Sequence, residues 1–117
     1  MPLQRLPDTR ADIPRDQIFE KYRIERPGKI VFVGHHLSMS KSQRCLIRTI
    51  SLYGAELDVS PHVIVPSNFF LEILGIHDDI GCTLIRREAE KLTVGFNMLL
   101  DPEFLHHVLR LAFETGH

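Results

Sequence analysis

Short β-rich runs separated by chain-breaking residues leave this chain few ways to fold. Residues 29–33, 43–50, 55–59, 69–74, 80–87 and 91–96 are rich in β-branched, aromatic or alternating apolar side chains, with turn-forming residues between them. Ala55, Leu57 and Val59 alternate with Glu56 and Asp58, the period of a strand with one face buried. Six short strands leave exposed edges unless the sheet closes on itself. The expected fold class is therefore all-β, a six-stranded antiparallel barrel. Gly95, inside the last run, predicts a bulge or a close approach of backbones.

The ends of the chain follow other patterns. Residues 1–14 carry three prolines and alternating charges and read as an irregular arm. Residues 14–22 predict a short helix with Pro14 at its start. Arg23 to Pro27 then reads as a basic linker closed by the breaker pair Pro27-Gly28, and residues 35–42 read as a polar loop. The division expected is an arm and linker over 1–27 and a barrel with its C-terminal helix over 28–117. Asp101-Pro102-Glu103 is a helix start, and Phe104, Leu105, Val108, Leu109, Ala112 and Phe113 mark one apolar helix face through about residue 113.

A length of 117 residues fits one domain with one core, and 44% apolar with 25% charged residues is the balance of an ordered globular chain. A net charge of −1 argues against DNA or RNA binding by phosphate attraction alone. The charge is uneven, with seven Lys/Arg against five Asp/Glu in residues 1–32 and four against eight in residues 60–117. An anionic ligand would dock more readily at the front. Cys45 and Cys82 lie in apolar runs and read as buried free thiols of a reducing compartment. No run resembles a signal peptide or a membrane span, so the expectation is a cytoplasmic protein without direct membrane insertion.

The segment from Cys45 to Val59 holds the chemistry. Two strand-like runs flank the corner Ser51-Leu52-Tyr53-Gly54, with a hydroxyl at its first position and bare backbone at its last. Thr49-x-Ser51-x-x-Gly54 resembles the (Asp/Asn)-x-Ser-x-x-Gly motif of PilZ domains, with Thr49 at the Asp/Asn position. Gly28-Lys29-Ile30-Val31-Phe32 resembles the first strand of that family, and Pro66-Ser67-Asn68-Phe69-Phe70-Leu71 its Pro-x-x-Phe-x-Leu segment. Residues 82–87 followed by Val94-Gly95-Phe96 resemble its closing hairpin. The likeness runs from about Arg23 to Phe96 and implies a PilZ-like split barrel with degenerate ligand motifs.

The resemblance implies a non-enzymatic bacterial receptor for cyclic di-GMP, with no further cofactor. Its site would comprise Arg23 and Arg26, Thr49, Ser51 and Gly54. The arginines stand for the family's Arg-x-x-x-Arg motif with one residue fewer between them, and would grip phosphates and stack on guanine. Ligand binding would order the N-terminal arm and alter the surface shown to an unknown protein partner. Thr49 offers one hydroxyl where Asp or Asn offers a carbonyl-type acceptor, so replacing it by Asn or Asp is expected to tighten binding. The alternative is a PilZ-like adaptor that binds no nucleotide and acts through protein–protein contacts. Arg44 and Arg48 have the right spacing but stand within a strand and read as coincidental. His35-His36 and His106-His107 lack the i, i+4 spacing of a helical metal pair, and no catalytic constellation is evident. Phe69-Phe70 sends one ring inward and one outward, and an outward Phe70 would be a candidate partner contact.

Overall fold

The computed structural model describes residues 20–33 and 40–115. Their strands are β1 (Tyr22–Val33), β2 (Ser40–Ile50), β3 (Gly54–Asp58), β4 (Asn68–Ile73), β5 (Asp79–Glu88) and β6 (Lys91–Phe96), followed by helix α1 (Pro102–Thr115). All strand pairs are antiparallel, and the sheet closes in the order β1-β2-β3-β6-β5-β4. Closure explains why such short strands suffice, because neither edge is left unpaired.

Alternation fills the barrel. Ile30, Ile47, Ile50, Leu57, Leu71, Ile73, Leu92 and Val94 are almost wholly buried, and Leu105, Val108 and Ala112 of α1 join the same core. The helix begins where the sequence predicts: Asp101 Oδ1 accepts from the Glu103 amide at 2.9 Å, so Asp101 is the N-cap and Pro102 the first helical residue. Phe69 points inward and Phe70, 53% exposed, points out.

Three expectations need correction. The segment Arg23 to Pro27 is not a linker but the first half of β1, paired with β2 from Tyr22↔Ile50 onward. Pro27 is tolerated there because its carbonyl accepts from the Leu74 amide at 3.0 Å. Its missing N–H thus faces the side where β4 has already ended, and the β2 ladder loses nothing. The barrel therefore begins at Tyr22 and not at Gly28. The polar loop is shorter than expected, since Ser40, Lys41 and Ser42 pair with Val33, Phe32 and Val31. Tyr22 belongs to β1 and not to the helix expected over 14–22, whose first six positions lie outside the described residues. The register shift near Gly95 falls on the facing strand, between Leu84 and Arg86 of β5. Gly95 instead pairs with Gly54, and a Cβ on Gly54 would run into the Val94 carbonyl oxygen.

Candidate functional site

The corner between β2 and β3 is built by one hydroxyl. Ser51 is only 7% exposed, and its Oγ accepts from the amides of Tyr53 (3.2 Å) and Gly54 (3.1 Å) and donates to the Gly54 carbonyl (3.3 Å). The Ser51 amide donates to the same carbonyl at 2.8 Å. Every hydrogen-bonding position of this hydroxyl is occupied by the turn. Ser51 holds the corner in shape, and Gly54 allows β3 to approach β6.

Beyond the corner, the outer face carries one row across five strands. Arg23 pairs with Thr49, Thr49 with Glu56, Glu56 with Thr93 and Thr93 with Arg86. Thr49 Oγ1 donates to Glu56 Oε1 at 2.9 Å, and Lys21 Nζ donates to Glu56 Oε2 at 3.0 Å. Those two contacts, Lys21 first and Thr49 second, hold the Glu56 carboxyl below its ordinary range, so it is anionic near neutrality. Arg23 projects from β1 with its side chain 79% exposed and a loose 3.9 Å contact to Glu25.

Two concavities meet at this row and share Thr49, Glu56 and Thr93. One, of about 320 Å³, is walled by charge: Arg23, Arg48, Arg86 and Lys91 against Glu25, Glu56, Asp58 and Glu88. The other, of about 480 Å³, is mainly apolar and lies over the corner, with Tyr53, Ile85, Val94 and Phe96 as walls and Gly54 and Gly95 contributing bare backbone. Arg48 spans three strands in the charged groove, its Nη1 2.8 Å from Glu25 Oε1 and its Nε 2.8 Å from Asp58 Oδ2.

Four of the five residues singled out from sequence thus gather on one face: Arg23, Thr49, Ser51 and Gly54. Arg26 does not join them. Its Nε and Nη2 donate to the Leu74 carbonyl at 3.2 and 3.1 Å, on the β4 side of β1, where it braces the end of that strand. Arg44 and Arg48 line different cavities, so they do not act as a pair. Glu56 and Lys21 were not singled out from sequence. The signal for Glu56 was present: counting outward from the four-residue corner, Ile50 meets Ala55 and Thr49 meets Glu56.

Among the described residues, no group of three His, Cys, Asp or Glu side chains is placed to hold a metal ion, and no helix is long and apolar enough to cross a membrane. No protein-family model and no curated protein matches this chain.

Proposed function

We propose that this chain is a PilZ-type receptor for cyclic di-GMP, acting without catalysis in the cytoplasm by changing the outer surface it offers a protein partner. The observation that carries the reading is an exposed Arg23 in the charged groove, in register with Thr49, a residue that this groove shares with the slot over the Ser51–Gly54 corner. A guanidinium on a phosphate and a purine in the slot would use both halves of this face. Arg26 has no part in it. The order of the family-like segments along the chain supports the same reading.

A second reading has its own observation. Four cations and four carboxylates cancel around the charged groove, and Arg48 is already satisfied by Glu25 and Asp58. Such a face attracts a dianion weakly, while the outward Phe70 offers apolar area to a protein partner. This is the adaptor reading.

Calorimetric titration with cyclic di-GMP, followed by amide NMR, separates them. The receptor reading expects heat, with shifts at Arg23, Thr49 and Gly54 and weaker binding in Arg23→Ala. Absence of both heat and shifts at near-millimolar ligand leaves the adaptor. That reading in turn expects Phe70→Ala to weaken partner binding while Arg23→Ala does not.

A further inference from the structure

We propose that Glu56 is the residue that selects the base, reading a purine edge with two adjacent N–H donors, which is the Watson–Crick edge of guanine. The inference rests on the receptor reading above and assigns its specificity to a residue outside the motif that suggested it. Thr49 lacks the acceptor expected at its position, but its cross-strand neighbour supplies a carboxylate.

The arrangement of that carboxylate is what selects. An ionised carboxylate has about four acceptor sites, two on each oxygen. Thr49 takes one on Oε1 and Lys21 takes one on Oε2, which leaves one on each oxygen. Two parallel acceptors match the N1–H and N2–H of guanine. They do not match adenine, whose corresponding edge places a donor beside an acceptor. The Glu56 side chain is 41% exposed, so those sites are open to a ligand. Thr49 and Lys21 hold both oxygens in place, which makes Thr49 a positioning residue and not the base acceptor.

The slot beside Glu56 suits a flat ring. Its floor is backbone at the Gly54–Gly95 pair, and Ile85, Tyr53 and Phe96 supply apolar and aromatic faces. Lys21 offsets the charge of Glu56, so the carboxylate does not by itself repel the phosphates that Arg23 would meet.

The test is base selectivity in Glu56→Gln, which keeps the shape but replaces one acceptor oxygen by a donor. Cyclic di-GMP and cyclic di-AMP are titrated against the wild type, Glu56→Gln and Lys21→Met, with circular dichroism to verify the fold. The wild type is expected to prefer the guanine ligand at least about tenfold, since a site lined for two donors rejects a ligand that lacks them. In Glu56→Gln the preference should fall to within about threefold, and Lys21→Met should retain it although its overall affinity drops. Wild type that binds cyclic di-GMP with Glu56→Gln equally selective overturns the assignment of Glu56 and leaves the receptor reading standing. Wild type that binds neither ligand overturns both.

Discussion

Arg48 and Glu25 join two irregularities in neighbouring strands. Glu25 lies at the register shift of β1 and Arg48 at that of β2, and two hydrogen bonds of 2.8 and 3.1 Å connect Arg48 Nη1 to the Glu25 carboxylate. Each shift displaces a residue from the regular ladder, and the ion pair fastens the displaced residues to each other. Asp58 completes the clamp from β3. The charged groove thus owes its shape to paired bulges.

Glu25 occupies this position with φ at 50°, in the left-handed region. Glycine adopts that conformation freely, whereas a β-branched residue is strained by about 1–2 kcal/mol. Urea denaturation should find Glu25→Val less stable than Glu25→Gly by roughly that amount, although both lose the Arg48 contact. Equal stabilities would show that the bulge relaxes to ordinary β geometry.

The corner predicts a stability cost separate from any ligand. Ser51→Ala leaves the Tyr53 and Gly54 amides without their acceptor in a buried turn and should cost about 1–3 kcal/mol. Gly54→Ala places a methyl group against the Val94 carbonyl and should cost about 1–3 kcal/mol by forcing β3 from β6. Denaturant midpoints measure both. A neutral Ser51→Ala would mean that water replaces the hydroxyl.

The Glu56 carboxyl gives a pH signature. Its ordinary value is 4.5, and Lys21 and then Thr49 lower it in the folded chain. The stabilisation from those contacts is fully present above the unfolded value and is lost as pH falls through the lower folded value. Thr49→Val removes a donor, so a carboxyl NMR titration should find Glu56 moved up toward its ordinary value. Thr49→Asp sets a second carboxylate beside the first and should raise it further, by charge repulsion. The structure thereby divides an expectation drawn from sequence. On the receptor reading proposed above, Thr49→Asn, which keeps an N–H donor for Glu56, is the variant expected to preserve or tighten nucleotide binding, whereas Thr49→Asp should weaken it. Tighter binding by Thr49→Asp would remove Glu56 from the site.

Both cysteines should be silent in the native protein. Burial pushes the Cys45 thiol up to about 12, and burial with the nearby Cys45 does the same for Cys82. They form no disulfide with each other. A thiol reagent at pH 8 should find neither group in the folded chain and both in denaturant, because the thiolate is the reactive form. Rapid native labelling would show that the barrel opens locally at β2 or β5.

Much of this protein can be read from its one-dimensional pattern. Alternation places Ala55, Leu57 and Val59 inside and Glu56 outside, and the Asp101-Pro102-Glu103 start predicts α1, because each signal is local in the chain. Closure of six short strands follows from the same pattern, since open edges are costly. Tertiary structure alone decided the rest. Pro27 reads as a breaker until it is seen that β4 ends opposite it. Arg23 and Arg26, close in sequence, meet different neighbours, Thr49 of β2 for the first and the Leu74 carbonyl just past β4 for the second. Thr49 and Glu56 become one unit through cross-strand pairing, and Lys21, just before β1, joins them by an ion contact. A strand residue's chemistry is set by its lateral neighbours, and those are fixed by register across the closed sheet.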